Sequence, residues 1–363
     1  MQALVLVGGE GTRLRPLTLT QPKPAVPLVD RPFIRFMVDW LGRHGVTEIV
    51  MACGFRADDL RSALGDGTPP GPSIRYMEEP EALGTAGPIR LAADMGMLED
   101  RFFVLNGDVL TDLDLTAHLE AHIERGAVAS LALYPVDDPS AYGLVRRGED
   151  GAVTGFLEKP EADEIDTDEV NAGAYVLERD ILELIPARQP VSIEREVFPR
   201  LVGQGLYGLR LDGYWMDIGT PERYLQASWD ILTGKVQTEV TARVDDTGAC
   251  VDEHAEVDGA AVLEAPFLVE SGATVGAAAI GPYVVIGDGC EVGDGARIAG
   301  SVLHNRCRIG SDAIVEDSIL GAGVEVGAGA EIGHGSVIGE GARIEPGVVV
   351  EHDARLEPGG VSA

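Results

Sequence analysis

Over roughly the first 235 residues, short apolar runs alternate with stretches of helical period. The runs are 3–7, 48–53, 74–78, 102–106, 129–134 and 171–177, and helix-like segments fall at 32–44, 57–64, 86–95 and 115–125. Strands alternating with helices predict an α/β unit with a mostly parallel sheet covered on both faces. Ligands of such sheets bind beyond the C-terminal ends of the strands. There the chain places GGEGTR after the first run and NGD (106–108) after the fourth.

From Val251 the pattern becomes a six-residue period. Val251, Val257, Leu263, Val269 and Val275 share one phase; Ile280, Ile286, Val292 and Ile298 follow in a shifted one; then come Ile309, Val315, Val326, Ile332, Ile338, Ile344, Val350 and Leu356. Glycine follows many of these aliphatics, as in Ile286-Gly287 and Ile332-Gly333. An inward aliphatic every six residues with glycine at the turn is the signature of a hexapeptide parallel β-helix. The shift after 275 and the longer gaps 298–309 and 315–326 mean that its coils are not uniform. The expected division is 1–235 for the α/β domain, 236–248 for a linker and 249–358 for the β-helix.

Composition narrows the function classes. With 28 Lys plus Arg against 60 Asp plus Glu, the net charge of −32 repels nucleic acid. No uninterrupted apolar stretch is long enough for a bilayer, and the apolar start is too short for a signal peptide, so a cytoplasmic protein without membrane contact is expected. Cys53, Cys250, Cys290 and Cys307 form no C-x-x-C pair and read as reduced core thiols.

In so acidic a chain, cations within motifs are informative. Gly8, Gly9 and Gly11 let backbone N–H groups approach an anion, and Thr12, Arg13 and Lys23 follow in the same loop. The string GGEGTRLR fits neither a Walker A loop nor a dinucleotide fingerprint. Prolines at 16, 22, 24 and 27 are expected to keep helix out of it. Only three lysines occur, and two of them, Lys23 and Lys159, sit in the similar settings PKP and EKP. A compact ammonium is thus retained where phosphate oxygens are to be met. Asp108 in LNGD and Asp217 in YWMDIGT put carboxylates beside apolar segments. Such a pair beside phosphates suits Mg²⁺, and each singly reads equally as a turn aspartate.

These motifs, with EALGTAG (81–87), AYGLV (141–145), FLEKP (156–160), NAGAYVL (171–177), SIEREVFP (192–199) and GYWMDIGT (213–220), resemble those of the sugar-nucleotide pyrophosphorylases, a nucleotidyltransferase family. The likeness spans the N-terminal domain in order. It implies a Rossmann-like domain followed by a left-handed β-helix. LVGGEGTRLRPLTL, LGTAG, SIEREVFP and YWMDIGTPERY are most similar to the mannose-1-phosphate guanylyltransferases, which implies GTP and mannose 1-phosphate as substrates and GDP-mannose as product.

Carried over motif by motif, the resemblance implies that Arg13 meets the β- and γ-phosphates, Lys23 holds the triphosphate near its α-phosphate, and Asp108 and Asp217 bind Mg²⁺. Lys159 would hold the sugar phosphate, Glu158 and Asn171 sugar hydroxyls, and Gly143 and Trp215 the sugar side. Gly84 and Thr85 would lie against base and ribose. Glu79 is the candidate acceptor for guanine's adjacent N–H donors, and it reads equally as part of a solvated acidic turn.

Two other readings stand beside this one: a thymidylyl- or uridylyltransferase taking dTTP or UTP with glucose 1-phosphate, and a non-catalytic sensor of sugar nucleotides. His254, His304, His334 and His352 are candidate bases were the β-helix an acyltransferase. Assembly into a homo-oligomer, partly through the β-helix, is the preferred expectation for that domain.

Overall fold

The computed structural model of the chain describes residues 1–54, 56–67, 70–158 and 165–362. The chain forms two compact units: Met1–Gly9 with Ile34–Trp215, and Glu10–Phe33 with Met216–Ala363.

The first unit is built on a nine-stranded sheet. Its strands are β1 (Gln2–Leu6), β2 (Glu48–Cys53), β3 (Ser73–Glu78), β4 (Arg101–Asn106), β5 (Ala129–Pro135), β6 (Gly143–Arg147), β7 (Val153–Glu158), β8 (Glu169–Glu178) and β9 (Leu206–Arg210). The path β7-β6-β8-β4-β1-β2-β3 runs across the sheet, with β5 beside β8 and β9 beside β5. Strands β4, β1, β2 and β3 are mutually parallel, in register from Gln2 beside Glu48 and Phe102 onward. Their residues Leu4, Val50, Ala52, Phe102 and Val104 are completely buried, as the continuous apolar runs require of strands covered on both faces. Strand β8 turns the sheet antiparallel against β4, β5 and β6, an extension that the alternation of strands and helices did not foretell. Helices Phe33–Arg43, Ala57–Leu64, Gly87–Asp94 and Leu115–Arg125 lie within two residues of the expected limits. The last is capped by Asp114, whose side chain accepts from Ala117 N at 3.0 Å, and ends at Gly126 with φ of 58°.

The second unit contains the β-helix: three parallel sheets of seven, seven and six strands. Val269 lies beside Ile286, Ile286 beside Leu303, Leu303 beside Leu320, and Leu320 beside Ile338. The first three steps are of 17 residues and the last is of 18. A 17-residue coil is two hexapeptides and one pentapeptide, so Leu303 and Leu320 fill the two gaps that a strict six-residue reading leaves open. Both are completely buried. Val251, expected inside, is instead 42% exposed, because it belongs to the terminal coil and only its far side is stacked. Ser301, Ser318 and Ser336 form a buried polar ladder whose hydroxyls donate to backbone carbonyls, including Ser318 Oγ to Gly333 O at 3.0 Å.

Segment 10–33 contradicts one expectation. It holds a one-turn helix, Leu17–Thr20, between turns at Thr12–Leu14 and Lys23–Ala25. Pro16 starts that helix and Pro22 follows it, so prolines limit helix here to one turn without abolishing it. Cys53, Cys290 and Cys307 are free and buried as expected, whereas Cys250 is only half-buried. Burial pushes the Cys53 thiol up to about 12 and leaves it inert.

Candidate active site

In the first unit the candidate residues gather at the C-terminal ends of the strands. Val7 N donates to Ala52 O and Glu79 N to Cys53 O, which aligns the segments leaving β1, β2 and β3. A Cβ on Gly8 would lie 3.0 Å from Glu79 Oε1, and one on Gly54 would lie 2.9 Å from Gly8 O. Glycine at both positions is therefore what lets the loop pass directly beside the Glu79 carboxylate. Burial raises the pKa of Glu79, and a hydrogen bond from Leu83 N to Oε2 at 3.2 Å partly offsets that. Gly9 is exposed and faces open space.

Asp108 follows β4 by two residues and is half-buried. Gly107 N donates to Leu6 O at 2.9 Å, and a Cβ on Gly107 would lie 2.5 Å from Val7 Cγ1. The NGD turn is thereby pressed onto the end of β1, the strand that feeds Gly8 and Gly9.

Gly84 has φ of 73°, and a Cβ there would lie 2.5 Å from Val191 O. That close approach locks 81–87 against 191–197, with Ala86 N donating to Val191 O at 2.9 Å. Thr85 Oγ1 donates to Glu194 Oε2 at 2.7 Å and accepts from Ile193 N at 2.8 Å. Glu194 also accepts from Ser192 Oγ at 2.8 Å and from Tyr175 OH at 3.3 Å. Tyr175 in turn accepts from Asn171 Nδ2 at 2.8 Å, and Asn171 Oδ1 accepts from Gly173 N. A continuous chain thus links Asn171 to Thr85. Its hub, Glu194, was visible in SIEREVFP but carried no sequence signal of this role.

Trp215 is buried, donates from Nε1 to Ala172 O at 2.8 Å, and packs against Tyr134 and Tyr142 with ring centroids 5.7 and 5.5 Å away. Gly143 begins β6, paired with Glu158. Asn171, Gly143 and Trp215, all expected on the sugar side, are therefore neighbours through β6 and β8. Tyr134 and Tyr142 join them without having been anticipated. The side chain of Glu158, and Lys159 entirely, lie outside the described residues.

The second unit carries the rest of the loop. Gly11 has φ of 63°, and a Cβ on it would lie 2.9 Å from Lys23 Cβ and 3.0 Å from Thr18 Cγ2. Thr18 Oγ1 donates to Gly11 O at 2.9 Å. Gly11 is thus the floor on which the Lys23 stem rests, and Lys23 is only 8% exposed. Thr12 and Arg13 are exposed. The Arg13 guanidinium lies against Gly219, where a Cβ would come within 2.8 Å of Nη2. Two motifs some two hundred residues apart therefore meet, GGEGTR and WMDIGT. Asp217 forms an ion pair with Arg223, a partner sequence reading missed because it lies on the next helix, Pro221–Leu232. Thr220 caps that helix, its Oγ1 accepting from Arg223 N.

Asp108 belongs to the first unit and Asp217 to the second. Among the described residues no group of three or more His, Cys, Asp or Glu is arranged as metal ligands. Each carboxylate offers the kind of hard oxygen that Mg²⁺ takes beside phosphate oxygens and water. Among the described residues, no helix is long and apolar enough to cross a membrane.

The nucleotidyl transferase family matches residues 2–234, and the GMPPB C-terminal domain matches 248–358. The mannose-1-phosphate guanylyltransferase of Mycobacterium tuberculosis is 38% identical over 279 residues, 76% of this chain and 77% of that protein. Mannose-1-phosphate guanylyltransferase 1 of Arabidopsis thaliana is 38% identical over 337 residues, 90% of this chain and 92% of that one. Among solved structures, HddC from Yersinia pseudotuberculosis superposes with a TM-score of 0.55 at 29% identity, covering 62% of this chain and 97% of its own; HddC complexed with GMP-PN gives 0.54. Residues 2–234 take in every motif that pointed to phosphate chemistry, from GGEGTR to GYWMDIGT, and the chain belongs to the nucleotidyl transferase family.

Proposed function

We propose that this enzyme transfers a guanylyl group from GTP to mannose 1-phosphate, giving GDP-mannose and pyrophosphate. A phosphate oxygen of the sugar phosphate attacks the α-phosphorus in line. The bond from that phosphorus to the bridging oxygen breaks, and pyrophosphate leaves with the electron pair. No general base is needed, because a phosphate nucleophile is ionised at neutral pH, so the protein's task is positioning and charge neutralisation.

Each residue's part follows from its place. Gly8, Gly9, Gly11 and Thr12 offer backbone to the triphosphate. Arg13 takes the charge that develops on the leaving β- and γ-phosphates, and Lys23 holds the α-phosphate side. Glu79, half-buried beside Gly8, accepts from guanine N1–H and its exocyclic amine. Gly84 and Thr85 shape the base and ribose pocket, with Thr85 acting through its backbone because its hydroxyl is held by Glu194 and Ile193. Asn171, Gly143, Glu158 and Trp215 form the sugar side and Lys159 receives the incoming phosphate. Asp108 and Asp217 would hold Mg²⁺, which when bound neutralises phosphate charge. Arg223, paired with Asp217, orients it for that purpose.

The observation that carries this reading is the seating of Arg13 against Gly219, which sets the phosphate loop beside the segment bearing Asp217. The reading takes 1–235 as the catalytic domain, 236–248 as linker and 249–358 as the β-helix, in a cytoplasmic enzyme whose thiols stay reduced. Its β-helix supports self-association: along one face Glu291, Arg308, Glu325 and Arg343 stand on successive rungs. Reversed about a two-fold axis, that order places each charge opposite its complement.

Pyrophosphate release from GTP, dTTP, UTP, ATP and CTP, each with mannose or glucose 1-phosphate, tests the proposal. GTP with mannose 1-phosphate should lead, and Glu79→Gln should shrink the preference for GTP by about 10- to 100-fold. A leading pyrimidine nucleotide with glucose 1-phosphate would overturn the base assignment, and no turnover with any pair would leave a sensor.

A further inference from the structure

Lys23–Ala25 is a single turn, followed at once by a small hairpin in which Pro27 pairs with Pro32 and Leu28 with Arg31. At its tip, Val29 has φ of 59° while 4% exposed. A β-branched residue in the left-handed region is strained and persists only where its surroundings over-determine it. The surroundings here are three sets of contacts, all within the second unit.

The first runs through Tyr224, completely buried on Pro221–Leu232. Its hydroxyl donates to Pro27 O at 2.5 Å and lies 3.0 Å from His304 Nε2. A phenol has one proton, so His304 must donate to the Tyr224 oxygen, which fixes its tautomer. His304 follows the β-helix strand Val302–Leu303 and is 3% exposed. The second set centres on Asp30, whose side chain is 8% exposed. Arg243 Nη1 reaches Asp30 Oδ2 at 2.7 Å, and the same guanidinium grips Glu270 of the β-helix with two contacts of 3.0 Å. Arg31 meets Glu239 at 2.8 Å in the third.

Asp30 and Arg31 at the hairpin tip thus face Arg243 and Glu239, two opposite charges against two. A segment whose only task is to connect needs no such match. We propose that segment 236–248 is a strap, and that Arg243, Tyr224 and His304 are positioning residues that hold the Lys23 loop against the β-helix. The β-helix then takes part in nucleotidyl transfer as the wall against which an active-site lysine is set. With its Cβ at the edge of Gly11, Lys23 has little room to tolerate a shifted hairpin. The inference rests on the role proposed above for Lys23.

A double-mutant cycle tests it. Arg243→Met should lower kcat about 10-fold and leave KM for mannose 1-phosphate within about 2-fold, and Tyr224→Phe should do the same. In a Lys23→Met background, Arg243→Met should cost less than about 2-fold, since a clamp that acts through Lys23 has nothing left to position. An undiminished 10-fold loss in that background, or no loss in the native one, overturns the proposal. If Lys23→Met alone leaves turnover unchanged, the role of Lys23 falls instead, and hydrogen exchange decides the strap. Amides of Ala25 and Val26 should exchange about 10-fold faster in Arg243→Met, and unchanged exchange would sink the strap itself.

Discussion

The sheet of the first unit and the β-helix of the second bury polar groups in opposite ways. Between Leu115–Arg125 and the sheet, His118 and His122 both contact Ser130 Oγ, at 3.0 and 2.9 Å, and His122 reaches Glu178 at 3.1 Å. Each partner is of a different type and comes from a different element. Because His122 donates to the Glu178 carboxylate, Ser130 donates to His122 and accepts from His118. That leaves His118 Nδ1 a bare acceptor, in keeping with its lack of a hydrogen-bond partner among the described residues. The β-helix, His304 apart, instead repeats one solution, serine on carbonyl, from coil to coil. The contrast teaches where chemistry can reside. A site needs unlike groups converging from non-repeating strand ends, which the sheet supplies, while a repeat supplies stiffness. The strap joins the two uses.

Three measurements press on that contrast. Arg13→Gln and Asp108→Asn, both in non-repeating segments, should each lower kcat by roughly 10³-fold with little change in thermal unfolding. A large loss of stability with modest loss of rate would dissolve the distinction. Leu320→Ala, in the repeat, should cost about 2–5 kcal/mol in urea unfolding while kcat per folded molecule stays unchanged. A fall in kcat before unfolding would show the solenoid reaching the chemistry from farther than the strap allows.

The smallest effect is on pH. Burial pushes the imidazole of His304 down to about 4 and that of His118 to about 3. The unfolded chain, with histidines near 6.5, then binds more protons than the folded one below that pH. Stability is complete above pH 6.5 and falls as pH drops toward 4, by about 1.4 kcal/mol per pH unit for each such histidine. His304→Gln should flatten this acid arm by one residue's share; an unchanged arm would mean that His304 is not buried neutral.

What the sequence revealed follows the same division. Strands β1, β2, β4, β5 and β8 were legible because burial on both faces makes nearly unbroken apolar runs, β3 because Ile74 and Met77 stand out among exposed neighbours, and the four helices by their period. Strands β6, β7 and β9, GLVRR, VTGFLE and LYGLR, were not read as strands. The β-helix showed itself through period, yet Leu303 and Leu320 escaped a reading that insisted on six where a pentapeptide intervenes. At the site, glycines and cations announced phosphate chemistry because few other uses explain them. Arg223, Glu194, Tyr134 and Tyr142 stayed hidden: their significance is contact with residues distant in sequence, which no local pattern encodes.

The unequal coil lengths bear on how such a chain can change. Each coil of the solenoid meets only its neighbours, so loss or duplication of a whole coil leaves the rest in register. That freedom is not evenly spread. Coils bearing Glu270 and His304 are moored to the Lys23 loop, whereas those beyond Leu320 carry no such tether among the contacts described. Insertions and deletions of whole coils should therefore accumulate after Leu320, giving descendants of this protein tails of different length on the same moored base.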